Sequence, residues 1–353
     1  KWITNAKVTG HFWAIAFSGN TGGYHHKDFV PRCSLRRLNL EHVTCLTDLP
    51  YLFLANCRYL ESLTLPADRI SKVGSDFLFD CRSMTSLNLR PLANVTTIPS
   101  GFLEGCSGLK ELDLAPLSQV VSVGHAFMQG CSGLSTLDLA PLSKVRVVRS
   151  YFLAYCSGLK ELNLEPLSNI TLVGDGFLAG CEGLVTLNLT PLDNVTYLGR
   201  HFLSGCRALT KLDLAPLGDV ESTGGFFLKG CSGLKELDLL PLSRLGAVDD
   251  GFLCGCSGLT ALDLEPLSSV GIVGDSFLSG CAALTSVNLR PLSKLTHIGH
   301  SFLKGCAGMK TVRLPCLRRV RCIPSSFLEG CNVIPRRDGT LSVESAGGED
   351  CSA

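Results

Sequence analysis

Apolar positions recur along the chain in one order: L-x-x-L-x-L, then P-L, then two spaced valines, then F-L and a cysteine. In LKELDL, residues 109–114, Leu112 and Leu114 sit two apart. That spacing places both on one face of a short strand, with Lys110, Glu111 and Asp113 turned outward. Leu109 leads into the strand, and Pro116, which has no N–H for a ladder, predicts its end. Leu117, Val120 and Val123 turn inward on the return path. Gly124 predicts a tight turn. Phe127 is the large filler of the convex side, and Gly130 with Cys131 closes the coil.

Cysteine marks the period. Cys81, Cys106, Cys131, Cys156, Cys181, Cys206, Cys231, Cys256, Cys281, Cys306 and Cys331 follow one another at 25-residue steps, and Cys57 precedes Cys81 by 24. Twelve copies begin at Leu35, Leu60, Met84, Leu109, Leu134, Leu159, Leu184, Leu209, Leu234, Leu259, Leu284 and Met309. A single coil cannot bury its apolar face, whereas stacked coils share a continuous core. The pattern predicts a right-handed solenoid whose strands, ~4.8 Å apart, form a parallel sheet on the concave side. Phe102, Phe127, Phe152, Phe177, Phe202, Phe252, Phe277 and Phe302 are expected to form a buried column. A length of 353 residues would otherwise suggest two domains, but a repeat array adds length without closing separate cores.

The unit LxxLxLxPLxxVxxVGxxFLxGCxG resembles the BspA-like leucine-rich repeats, which run roughly as LxxLxLPxxLxxIGxxAFxxC. The Phe, the Gly before it and the Cys after it all match, over residues 35–331. The proline comes one place later here, as in Leu114–Ala115–Pro116–Leu117, and the unit is 25 long. The resemblance implies an α/β repeat solenoid, a leucine-rich repeat horseshoe with a concave parallel sheet. It also implies a binding role, often at cell surfaces, and no catalytic residues or cofactor. Outside the repeats, residues 1–34 carry Trp2, Trp13 and the apolar HFWAIAF and read as an N-terminal cap. Residues 332–353 read as a partial C-terminal cap with a frayed tail.

A formal net charge of +1 argues against nucleic acid as a partner. No apolar run approaches the ~18 residues of a membrane span. A hydrophobic fraction of 45% with 18% charged residues excludes a disordered chain. Lys1 in place of an initiator Met predicts a processed or trimmed product, so any signal peptide is not observable. Catalytic signatures are missing: there is no GxSxG, HExxH or GxxxxGKS/T. His297 and His300 are weak evidence for metal, and the lone CxC of Cys254 and Cys256 has no matching second pair. The twelve cysteines of the period are expected to be buried free thiols. Cys33 with Cys45, and Cys316 with Cys322, are candidate capping disulfides of an extracellular solenoid, with reduced thiols as the alternative.

Surface positions hold the candidate chemistry. The fifth position of the repeat reads Thr64, Asn88, Asp113, Asp138, Asn163, Asn188, Asp213, Asp238, Asp263, Asn288, Arg313. The column Asp113, Asp138, Asn163, Asn188, Asp213, Asp238 and Asp263 is the candidate binding surface. Carboxylates stacked ~5 Å apart repel, which a basic partner or cation would relieve. The plainer alternative is that Asp and Asn are the default polar filler. Lys110, Lys160, Lys211, Lys235 and Lys310 among Glu111, Glu161 and Glu236 temper the charge. A basic last repeat, Arg313, Arg318, Arg319, Arg321, Arg336 and Arg337, would suit an acidic partner or simply solvated capping charge. Sequons stand at Asn94, Asn169, Asn188 and Asn194; Asn94, Asn169 and Asn194 share one loop position and are the candidate glycosylation sites. The reading is a non-enzymatic binding module for a protein or glycan, extracellular or at a cell surface. The alternative is a scaffold subunit of a larger assembly, for which an intracellular location is open.

Overall fold

A computed structural model describes residues 34–67, 69–314, 319–320, 323–331, 333–335 and 340–342. Most of the expected N-terminal cap lies outside these residues, as do Cys33, Cys316, Cys322, Arg318, Arg321, Arg336 and Arg337. The chain divides into two compact units, Lys1–Gly199 and Arg200–Ala353. Each is a stack of repeat coils. In the first, strand Arg37–Asn39 pairs in parallel with Ser62–Thr64, Arg37 opposite Ser62. In the second, Ser286–Asn288 pairs in parallel with Thr311–Arg313. Thr340–Ser342 then pairs antiparallel with Thr311–Arg313, and Ile334–Pro335 lies outside it. This antiparallel pair covers the last parallel edge, where a C-terminal cap is expected.

The predicted sheet is only partly formed. Among the described residues, the L-x-L segments make strands at those two pairs; between them single inter-coil bonds, such as Lys110 N–H to the Thr85 carbonyl at 3.1 Å, join extended chain. Regular ladders form instead on the return path. Thr97–Ile98 pairs with Ser122–Val123, and Val147–Val148 with Leu172–Val173. In the second unit Ala247–Val248, Ile272–Val273 and His297–Ile298 make a three-stranded parallel ladder. The inner residue of each of these strands is buried: Ile98, Val123, Val148, Val173, Val248, Val273 and Ile298.

The helical part of the expected α/β class is correspondingly small. Among the described residues every helix is a three-residue 3-10 turn, such as Ala115–Leu117, with proline at its second position. Proline presets φ near the helical value and gives up an N–H that the first turn has no partner for. A three-residue turn is then all that fits before the valines must point inward. Gly124 also serves differently from expectation. Its φ is not left-handed, and a Cβ there would collide with the Pro99–Ser100 backbone of the preceding coil. Close packing of coils, not a turn, demands the glycine.

The core matches the apolar pattern. Phe53, Phe77, Phe102, Phe127, Phe152 and Phe177 stack in the first unit at ring-centroid spacings of 5.4 to 6.0 Å. Phe202, Phe227, Phe252, Phe277 and Phe302 stack in the second at 4.9 to 5.9 Å. The column therefore includes Phe53, Phe77 and Phe227 beyond the eight expected. Burying one such ring stabilises its coil by roughly 1.5–3 kcal/mol.

Candidate functional site

The cysteine column is interior. Cys81 through Cys306 at the 25-residue step are fully buried, and Cys331 is half-buried. Each thiol has a fixed acceptor in the preceding coil. Cys131 Sγ donates to the Leu103 carbonyl at 3.2 Å, and Cys256 Sγ to the Leu228 carbonyl at 3.1 Å. The accepting leucines have left-handed backbone, φ +57° at Leu103 and +52° at Leu228. Each carbonyl also accepts a backbone N–H, Leu103 from Cys106 and Leu228 from Cys231, both at 3.2 Å, and the thiol fills its second lone pair. Cysteine is small enough for that space and still donates, so the column is a hydrogen-bond ladder. Burial pushes the Cys181 and Cys231 thiols up to about 12, which keeps them protonated donors. Of the candidate disulfide residues, Cys45 is described, as an exposed free thiol.

The Asp/Asn column is exposed in both units and does a structural job. Oδ1 of each side chain accepts the backbone N–H two residues on: Asp113 from Ala115 at 2.8 Å, Asp138 from Ala140 at 2.9 Å, Asn163 from Glu165 at 3.0 Å and Asn188 from Thr190 at 2.9 Å. In the second unit Asp213, Asp238 and Asp263 bond Ala215, Leu240 and Glu265 at 2.8, 2.8 and 3.0 Å. This is an Asx turn, and it hands the chain to the 3-10 turn that follows. Asp and Asn place an oxygen at that reach better than Ser or Thr, which make the same turn more weakly, and this explains why the position favours both. One carboxylate oxygen of each Asp is thus spent on the fold and the other is left for solvent or a partner. The first unit presents Asp113 and Asp138 between Asn88 and Asn163; the second presents three successive carboxylates, Asp213, Asp238 and Asp263.

Asn94, Asn169 and Asn194 are exposed, each on the turn after a 3-10 helix. In the fourth sequon the Thr190 hydroxyl donates to Asn188 Oδ1 at 2.7 Å. No group of three or more His, Cys, Asp or Glu side chains is placed to hold a metal ion among the described residues. No helix there is long and apolar enough to cross a membrane.

Two features escaped the sequence. Asp80 is buried, with Arg58 Nε at 2.8 Å and Arg82 Nε at 2.6 Å. Beside it, burial foremost and then Asp76 and Asp80 raise Glu104 from its ordinary 4.5 to about 7. The second is a set of left-handed positions just before the ladder Phe and just before the ladder Cys. The position before the ladder Cys is mostly glycine, whereas the one before the ladder Phe also holds Asp76, Ala126, Tyr151, His201, Phe226, Ser276 and Ser301. Phe226, φ +65°, stacks on His201 at 4.6 Å with an interplanar angle of 11°. Lys229 Nζ and the Arg200 guanidinium lie 4.9 and 5.6 Å from its centroid. The repeated FF of Phe226–Phe227 signals this pair in the sequence, but not which ring faces outward.

Comparison with known proteins gives a consistent family. The model of the BspA type leucine rich repeat region matches residues 29–160, 93–210, 146–265 and 217–335. Among solved structures, a leucine-rich repeat protein from Bacteroides ovatus is 21% identical, with a TM-score of 0.51 over 81% of this chain and 80% of that one. That likeness shows the fold. A leucine rich cell surface protein from Faecalibacterium prausnitzii is 15% identical at TM-score 0.42, over 88% of this chain and 87% of that one. The functional domain of InlJ from Listeria monocytogenes, which includes a cysteine ladder, is 16% identical at TM-score 0.36, over 71% of this chain and 59% of that one. A search of the curated proteins found no match.

Proposed function

The chain belongs to the BspA-type leucine-rich repeat family, and on that premise we propose that it is a non-enzymatic interaction module that docks a protein on the strand side of its coils. The observation that carries this reading is the exposed Asx column. Each side chain is held by its own Oδ1 bond, so little freedom is lost when a partner engages it. The remaining carboxylate oxygens of Asp113, Asp138, Asp213, Asp238 and Asp263 favour a basic partner, with the effect felt in association rate and salt dependence. No aromatic residue occupies the outward strand positions of any repeat, which favours a protein over a glycan on this face. An extracellular or surface location draws support from the exposed sequons at Asn94, Asn169 and Asn194.

Replacing Asp113, Asp138, Asp213 and Asp238 together by Asn tests the charge without touching the fold, because Asn88 and Asn288 already make the same turn. Crosslinking capture identifies the partner, and titration at low and high salt then compares variant with wild type. Weaker binding and a shallower salt dependence are expected. Unchanged affinity and slope, or crosslinks confined to the side opposite the strands, would overturn the reading. A second reading, a scaffold subunit within an intracellular assembly, draws on the free thiols of the described cysteines, which need no oxidising compartment.

A further inference from the structure

The position before the ladder cysteine is glycine in coil after coil: Gly105, Gly130, Gly180, Gly205, Gly230, Gly255, Gly280, Gly305 and Gly330, all with φ between +70° and +81°. Between Gly105 and Gly330 one coil departs from this. It carries Tyr155 at φ +60°, and four residues earlier Tyr151 at φ +63°, where neighbouring coils have Gly176, Gly101 or Ala126. Left-handed backbone costs a side chain about 1 kcal/mol or more, and a bulky residue there is an outlier. Asp80, in the same column, offsets its strain with burial and two arginines. The tyrosines do not: Tyr151 is 40% exposed and Tyr155 53%. Neither phenol hydroxyl has a hydrogen-bond partner among the described residues. Strain held with no internal return points to a role outside the fold.

The surroundings give that role a shape. Both rings lie over the backbone of the next coil, where a Cβ on Gly176 or Gly180 would collide with them. Ala154 and Ala179 are buried beside the rings, at 0% and 4%, where other coils have partly exposed Glu104, Gln129 or Ser204. The result is two exposed aromatic rings on a floor of Gly and Ala. Arg149 and Glu182 are exposed in the same pair of coils, with Asp175 half-buried.

We propose that Tyr151 and Tyr155 form a platform for a neutral hexopyranose sugar. A pyranose presents an apolar C–H face of about the area of a phenol ring and a rim of hydroxyls. The rings take the face, and the free phenols, Arg149 and Glu182 take the rim. Two tyrosines about half exposed offer roughly half of the ~150–250 Å² of a whole aromatic side chain each, against ~800 Å² per partner in a standard protein interface. The platform is sized for sugar units. It lies away from the Asx column and does not depend on the strand-side reading.

The test is saturation-transfer NMR on the intact chain with chitotetraose, laminaritetraose and maltotetraose as probes. Transfer is expected to the ring C–H protons of at least one. Tyr155→Gly, the residue the rest of the column uses, should fold as wild type and weaken that binding by about tenfold or more, while Tyr155→Phe keeps the stack and loses about threefold or less. Retained stability of Tyr155→Gly by thermal melt separates lost binding from lost fold. Absence of transfer from all three probes, or transfer undiminished in Tyr155→Gly, overturns the proposal. So does a protein partner that requires these tyrosines in a chain showing no saccharide signal.

Discussion

Tyr151 in the first unit and Phe226 in the second occupy the same place in the repeat, one residue before the ladder Phe, with φ +63° and +65°. Their surroundings differ. Phe226 has His201 stacked on it and two cationic side chains within 5.6 Å of its centroid. Both rings lie over a glycine of the next coil, Gly176 under Tyr151 and Gly251 under Phe226, but Tyr151 has no stacked ring and no partner for its hydroxyl among the described residues. The same backbone strain is therefore returned inside the fold in one unit and left open in the other. A departure from the repeat carries functional information only when the chain itself does not account for it. The Asx column makes the converse point, because its regularity has a sufficient cause in the turn it builds.

The largest effect separates the two rings of the Phe226–Phe227 pair. Phe227→Ala removes a fully buried ring from the stack and should cost ~3–5 kcal/mol by urea denaturation. Phe226→Gly relieves backbone strain while losing the His201 stack, and should cost only about 1 kcal/mol. Equal losses would mean that both rings serve the core. Phe152→Ala should match Phe227→Ala in size, since Phe152 holds the same interior column next to Tyr151.

An intermediate effect belongs to the Asx column. Asp138→Ala leaves the Ala140 N–H without its acceptor and should lose ~1 kcal/mol, by analogy with helix caps. Asp138→Asn keeps the acceptor and should lose almost nothing. A thermal melt of both variants decides whether the column is set by the turn or by charge.

Much of this was legible in the chain. The 25-residue cysteine step and the L-x-L spacing fix the coil, and Phe102 and Phe127 are buried as the pattern requires. Some features were hidden because periodicity reports which side chains face inward and nothing about backbone sign. Leu103 reads as an ordinary core leucine, yet at φ +57° its carbonyl accepts both the Cys106 N–H and the Cys131 thiol. Gly124 reads as a turn residue, yet it yields space to a neighbouring coil. The strands of the return path were missed because two-residue ladders such as Val147–Val148 are too short to show alternation. Tyr151 and Tyr155 were visible as letters, but their meaning depends on the left-handed backbone and the glycines beneath them.

A smaller effect tests electrostatics at the other irregular left-handed positions, Asp76 and Asp80. Glu104 is raised to about 7 by burial and these two carboxylates. Its charged form is disfavoured in the fold, so its contribution to stability falls as pH rises from its ordinary 4.5 through about 7. Glu104→Gln should match wild type at pH values below that window. Above it the variant should be more stable by about 1 kcal/mol, a value discounted for the exposure of the side chain. Melting curves across that range show either a widening gap or parallel lines, and parallel lines would remove the carboxylate cluster from the account.

The smallest expected effect is the most direct test of the comparison. Unfolding free energy is measured for wild type and for the Tyr151→Gly, Tyr155→Gly double variant, which places at both sites the residue that the next coil uses at Gly176 and Gly180. The account predicts stability equal to or slightly above wild type, because strain is relieved and the exposed rings contribute little to the fold. A loss of about 2 kcal/mol or more, comparable to burying an apolar side chain, would contradict it by showing that the tyrosines are held in place for the fold.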